Sequence, residues 1–70
     1  MEQRDVSITT EFIKLEGLLK LEGLALTGGE AKEIIQAGQV LVNGETCVQR
    51  GRKIRPGDWI ELDGVRLNVV

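Results

Sequence analysis

Residues 27–44 have the sequence TGGEAKEIIQAGQVLVNG, which predicts a helix followed by a β-hairpin. Thr27 and Glu30 stand at the spacing of a capping box, in which each side chain bonds the backbone N–H of the other residue. The residues that follow give this helix a narrow apolar face: Ala31, Ile34 and Ile35. Gly38 is positioned to end the helix, because glycine readily adopts the left-handed conformation of a C-terminal cap.

The hairpin is predicted by the dipeptide Asn43-Gly44. A two-residue type I′ turn needs positive φ at both of its central residues, and Asn-Gly supplies this better than other pairs. Such a turn places Val40 opposite Cys47 on the face that meets the core. Cys47 is therefore expected to be a small buried hydrophobic residue rather than a reactive thiol.

A second hairpin is predicted near the C-terminus, around Asp63-Gly64. Its register places Ile60 opposite Leu67 on an apolar face. Glu61 then lies opposite Arg66 on the polar face, where an ion pair contributes a few tenths of a kcal/mol at most. Strands of this kind cover one side of a core and leave the other side polar.

The first half of the chain predicts another helix, which begins near Lys14 and ends near Glu22, with Gly23 as its C-terminal cap. Its apolar stripe consists of Leu15, Leu18 and Leu19. Glu16 and Lys20 lie four residues apart on the opposite side and are expected to pair weakly. Residues 6–9 alternate apolar and polar, which fits a short strand or an extended arm. The whole pattern predicts an α+β domain, with a helical pair packed on a small antiparallel β-sheet made of hairpins.

Length and composition exclude several classes of function. The chain has 70 residues, no His and a single Cys, Cys47, so neither a His-based triad nor a Cys/His metal cluster can form. One cysteine makes no internal disulfide, which favours a reducing compartment. No segment has the features of a signal peptide or a membrane span. We therefore expect one cytoplasmic, monomeric, non-enzymatic domain over residues 1–70, without cofactor, metal or membrane contact.

Charge is unevenly distributed along the chain, although the net charge is only −2. Residues 1–35 carry four basic and seven acidic groups, whereas residues 36–70 carry five basic and four acidic groups. Four cations fall within residues 50–55, which we call the basic loop: Arg50, Arg52, Lys53 and Arg55. One interpretation is that these charges keep a loop solvated, but their density favours binding of an anion such as phosphate.

Two other features are weaker candidates. Gly28 and Gly29 leave the backbone open at a helix N-terminus, and Lys32 and Gln36 follow along one face of that helix. Taken alone, an ordinary capped helix with exposed polar residues is the better interpretation. Trp59 could stack on a nucleobase, but packing against a neighbouring loop is the more common role for such a residue.

The spacing of these motifs matches a known family over about residues 14–62. The matching positions are Lys14-Leu15-Glu16, Leu19, Gly23-Leu24, Ala31, Ile34-Ile35, Gly38, Val40, Val42-Asn43-Gly44, Pro56-Gly57-Asp58, Ile60 and Leu62. In these positions the chain resembles the S-four (S4) domain, a small RNA-binding module named after a ribosomal small-subunit protein. Residues 27–32 and 50–53 also resemble a stand-alone bacterial subgroup labelled YaaA or YbcJ.

The resemblance implies the helical pair and hairpin known as the alpha-L motif. It also implies binding of structured RNA, as in related domains of a ribosomal protein, pseudouridine synthases, some tRNA synthetases and a ribosome-rescue heat-shock protein. Carried over by position, it implies RNA contacts at Lys14, Lys20, Gly28, Gly29, Lys32, Gln36, Asn43, Gly44, Arg50, Arg52 and Lys53, and the basic loop adds Arg55. The family pattern has Ser-Arg where this chain has Gly28-Gly29, and Arg where it has Lys14. Both changes remove a bidentate phosphate contact, so we expect lower affinity or a different target.

Our primary hypothesis is a non-catalytic domain that binds structured RNA of the ribosomal or transfer class, with a ribosomal or other protein as a further partner. The alternative is a protein-interaction adaptor whose basic loop meets an acidic partner, which the net negative charge favours. An enzyme ranks third. A metal-dependent activity would need Asp58, Glu61 and Asp63 to converge, and the alternation of side chains along a strand disfavours this.

Overall fold

The predicted fold class is confirmed: two helices pack on a β-sheet through a shared core. The computed structural model describes residues 1–70. The elements are β1 (Glu2–Val6), β2 (Ile13–Lys14), α1 (Leu15–Leu21), α2 (Gly28–Gln36), β3 (Leu41–Val42), β4 (Glu45–Thr46), β5 (Lys53–Ile54), β6 (Trp59–Leu62) and β7 (Val65–Val69).

The main sheet has five strands in the order β1-β7-β6-β3-β4, and β2 and β5 form a separate two-stranded sheet. One pair differs from the expected antiparallel arrangement, because β1 runs parallel to β7. This strand also lies earlier than the predicted one, at Glu2–Val6 instead of residues 6–9. Only Val6 of this strand is buried. Backbone pairing with the edge of β7 therefore decides which residues form β1. The apolar pattern of the segment does not predict this.

Both predicted hairpins form. Their turns have positive φ at both central residues, 51° and 88° at Asn43 and Gly44 and 50° and 76° at Asp63 and Gly64. The predicted registers are confirmed in both hairpins. The backbone conformation required by these two turns is thus supplied by two Asx-Gly dipeptides.

The two helices begin and end close to the predicted residues. Gly23 follows α1 with φ of 72°, as a C-terminal cap requires. At the start of α2, Thr27 Oγ1 accepts a hydrogen bond of 3.0 Å from the backbone N–H of Glu30. The return bond from the Glu30 side chain does not form, so the predicted capping box is only half present. Glu30 is exposed, and its carboxylate can be hydrated by water instead.

The core consists of 15 residues, all apolar. It contains the predicted leucine stripe of α1 and the inward residues of both hairpins. Cys47 is buried, as predicted, with 7% of its surface exposed. Ile54 is fully buried, which attaches the C-terminal part of the basic loop to the core.

The molecule measures 26 × 25 × 20 Å and has no pocket on its surface. Both helices are too short and too polar to cross a membrane.

Candidate functional site

The basic loop is part of a small β-sheet. Lys53–Ile54 pairs antiparallel with Ile13–Lys14, and Lys14 lies opposite Lys53 in this register. The sequence patterns did not predict this sheet, because each of its strands has only two residues. Its effect is to bring a cation from the first half of the chain beside the basic loop.

The backbone of the basic loop is bonded to the beginning of α1. Leu15 N–H donates to the carbonyl of Arg52 at 2.8 Å, and Glu16 N–H donates to the carbonyl of Arg50 at 3.0 Å. The first amides of a helix have no partner within the helix, so these bonds satisfy two groups that would otherwise be unpaired. The loop backbone is thereby held in place, while both arginine side chains remain exposed.

Five cations lie on the two segments that meet where the basic loop is bonded to α1, and we call them the cation cluster: Lys14, Arg50, Arg52, Lys53 and Arg55. Arg50 Nε lies 3.9 Å from Glu16 Oε2 and is the one member with an ion pair. The predicted pairing of Glu16 with Lys20 is therefore wrong, because the docked loop brings Arg50 closer to this carboxylate. The other four members form no ion pair and leave a positive surface beside α1.

Asp58 holds the exit of the basic loop. Its Oδ2 accepts a hydrogen bond of 2.9 Å from the backbone N–H of Arg55, and its Oδ1 accepts one of 3.0 Å from Asn43 Nδ2. The bond from Arg55 N–H, then the bond from Asn43, then the charges of Arg52 and Arg55 lower the pKa of Asp58. Asp58 lies outside the basic loop in the sequence, and its carboxylate stabilises the loop through the bond to Arg55.

Asn43 and Gly44 connect the two hairpins. Asn43 Oδ1 accepts the backbone N–H of Trp59 at 3.0 Å, so the Asn43 side chain is bonded within the protein through both its oxygen and its nitrogen. A Cβ at Gly44 would lie 3.7 Å from the Trp59 ring. The guanidinium of Arg66 lies 3.8 Å from the centroid of that ring. Trp59 therefore packs against the neighbouring turn, as the simpler interpretation expected.

Phe12 is a residue of the site that the sequence patterns missed. Lys53 Nζ lies 4.9 Å from the centroid of its ring, and Arg55 Cζ lies 5.7 Å from it. Cations at such distances are attracted by the negative face of an aromatic ring. Phe12 is one of only two aromatic residues in the chain and lies two residues before Lys14. This proximity to a candidate cation was the signal available in the sequence.

Comparison with known proteins agrees with this architecture. Residues 6–70 match the family described as the S4 domain. The chain belongs to the S4 domain family. It is 44% identical over 59 residues to "Probable ribosome maturation protein RlbA" of Bacillus subtilis, a match that covers 84% of this chain and 83% of that protein. It is 38% identical over 58 residues to "Putative RNA-binding protein YbcJ" of Escherichia coli, which covers 83% of each.

The remaining candidate residues of this S4 domain lie on the helices. Lys20 is in the last turn of α1, and Gly28, Gly29, Lys32 and Gln36 belong to α2. All of them are exposed, as are the other candidate residues. No hydrogen bond or ion pair joins them to the cation cluster. The structure thus gathers five cations at one junction and leaves the α2 residues as a separate set on the packed helical pair.

Proposed function

We propose that this S4 domain is a non-catalytic RNA-binding protein that holds structured RNA on the cation cluster. The observation that carries the proposal is the set of four exposed cations without ion pairs, arranged around one backbone junction. Positive groups carried by two backbone segments that are bonded to each other can contact several phosphates of one RNA backbone at the same time. A local positive surface of this kind can attract RNA although the net charge is −2.

Structured RNA fits an open surface of this kind. RNA duplexes and their junctions are recognised largely by shape, through phosphates and 2′-hydroxyl groups. Arg52 can hold a phosphate through two parallel hydrogen bonds, whereas Lys14 and Lys53 act as point charges. We propose that Lys20, Lys32 and Gln36 extend the contact along the helical pair, with Gly28 and Gly29 allowing close approach. Asn43 and Gly44 then contribute by shaping the hairpin.

The relatives suggest which RNA to test first. One is named as an RNA-binding protein and another as a ribosome maturation protein. We therefore propose ribosomal RNA as the first target class, with transfer RNA next, and the cytoplasm as the compartment. We also propose that residues 1–70 act as one monomeric domain.

The test is a binding titration with a structured ribosomal RNA fragment at several salt concentrations. Arg52→Ala and Lys32→Ala are compared singly and together with the wild type. Each lost phosphate contact should lower the log–log salt slope by about one unit or slightly less. Arg66→Gln serves as the control, since it removes one cation that lies on β7, outside both the cation cluster and the helical pair, and should leave the slope unchanged.

Two results would contradict the proposal. One is an unchanged affinity and salt slope in Arg52→Ala, Lys32→Ala and the double variant. The other is a protein partner that co-purifies after nuclease treatment while no RNA is retained, which would favour the adaptor function instead. Unfolding midpoints of all variants are measured alongside, so that a loss of folded protein is not mistaken for a loss of contact.

A further inference from the structure

Phe12 brings two like charges together on one aromatic ring. The Lys53 ammonium and the Arg55 guanidinium are 4.9 Å and 5.7 Å from the same ring centroid. The two heads can therefore be no farther apart than these two distances combined. Like charges repel at such range, and neither cation has an ion pair that would offset the repulsion. The attraction of each cation to the ring opposes it.

The backbone explains why the ring meets these two side chains. Ile13 pairs with Ile54 across the small sheet, so Phe12, one residue before Ile13, lies beside Arg55, one residue after Ile54. The Phe12 ring is half-buried, whereas Lys53 and Arg55 are both exposed. The ring therefore lies beneath the two cations, and their charged ends face the solvent.

We propose that Phe12 is a positioning residue for RNA binding, which orders Lys53 and Arg55 before the RNA arrives. This inference rests on the proposed function. Long cationic side chains lose rotamer freedom when a ligand fixes them, and this loss weakens binding. Side chains that already rest on a ring lose less freedom, so the phosphate backbone meets a pair of charges that is already in place.

The first experiment compares Phe12→Leu with Phe12→Tyr. Leucine keeps an apolar side chain without an aromatic face, whereas tyrosine keeps the face. We expect Phe12→Leu to weaken RNA binding about threefold to tenfold, the range that ordering one rotamer-rich side chain corresponds to. The salt slope should stay the same, because both cations still neutralise phosphates in the complex. Phe12→Tyr should restore the affinity. A lower salt slope in Phe12→Leu, or no rescue by tyrosine, would overturn the role of Phe12 as a positioning residue.

The second experiment asks whether Phe12 acts through the two cations. Phe12→Leu is introduced into a Lys53→Ala/Arg55→Ala background, where we expect no further loss of affinity. An equal loss in both backgrounds would mean that the ring contacts the RNA directly and would overturn the inference. If Lys53→Ala/Arg55→Ala itself leaves binding unchanged, the proposed site is wrong. If it weakens binding while Phe12→Leu does not, only the role of Phe12 is wrong.

A third measurement uses the unmodified protein without RNA and needs no variant to fold. Protons that rest on an aromatic face have upfield-shifted NMR resonances. We expect such a shift for the ε-methylene protons of Lys53 and the δ-methylene protons of Arg55. Resonances at the positions of freely rotating side chains would show that the two cations are not ordered before binding, and the proposal would fail.

Discussion

Replacing Asn43 by glycine should destabilise this S4 domain clearly more than the same change at Asp63. The two residues occupy equivalent positions in the two hairpins, with φ of 51° and 50°. Glycine tolerates this conformation at both sites, so the substitution introduces no backbone strain at either. The sites differ in their side chains. Asn43 bonds Asp58 and the backbone N–H of Trp59, whereas the Asp63 side chain makes no hydrogen bond.

The expected difference follows from these two bonds. A hydrogen bond to a charged group contributes about 1.5–3 kcal/mol and a neutral one about 0.5–1.5 kcal/mol. Both bonds of Asn43 lie near the surface, where water replaces part of what is lost. We therefore expect Asn43→Gly to lower the free energy of unfolding by about 1–3 kcal/mol more than Asp63→Gly does. The greater backbone freedom of glycine in the unfolded chain affects both variants alike.

Urea and thermal unfolding of the two variants provide the assay. A difference of this size corresponds to about 4–8 °C in Tm per kcal/mol for a small domain. Asn43→Ala is a useful third variant, because it loses the same bonds and adds the strain of a left-handed alanine. Equal unfolding free energies for Asn43→Gly and Asp63→Gly would refute the conclusion that the Asn43 side chain ties the two hairpins together.

Three further predictions concern the loop and its acids. Asp58→Asn should destabilise the protein at neutral pH. The difference in unfolding free energy from the wild type should shrink as the pH falls below 3.8, the ordinary pKa of an aspartate. The folded-state pKa of Asp58 is lowered, so its stabilisation is complete above 3.8 and is lost as the pH falls through the folded value; unfolding at pH 6 and pH 3 tests this. Glu16→Gln releases Arg50 from its ion pair and should tighten RNA binding about twofold to fivefold, and an equal gain in Glu45→Gln, an exposed acid without an ion pair, would contradict this. Ile54→Ala should cost about 2–5 kcal/mol of stability, with loss of amide protection in the basic loop as the readout in hydrogen exchange.

Local structure was largely predictable because its rules act over a few residues. The positive φ of both turns follows from the dipeptides Asn43-Gly44 and Asp63-Gly64, whose side chains tolerate that conformation. The leucine stripe of α1 follows from helical spacing. The hairpin registers follow from the length of each turn, and these registers correctly predict the burial of Cys47.

The contacts that organise the cation cluster were not predictable in the same way. Charge density marked the basic loop as a candidate, but no local pattern shows that its carbonyls bond the first amides of α1. The two-residue strands of the small sheet are too short to produce a periodicity. Glu16 was expected to pair with Lys20, its neighbour on the helix, and instead pairs with Arg50 across the junction.

The amino-acid sequence was thus enough to predict the two helices, the two hairpins, the apolar core and the location of the densest positive charge. Each of these depends on dihedral preferences or on spacing along one segment. The folded chain was needed to reveal the parallel β1–β7 pair, the placement of Lys14 beside the basic loop and the two cations on Phe12. These features depend on backbone pairing between segments that are far apart in the sequence. Propensities and spacing within one segment cannot predict such pairing.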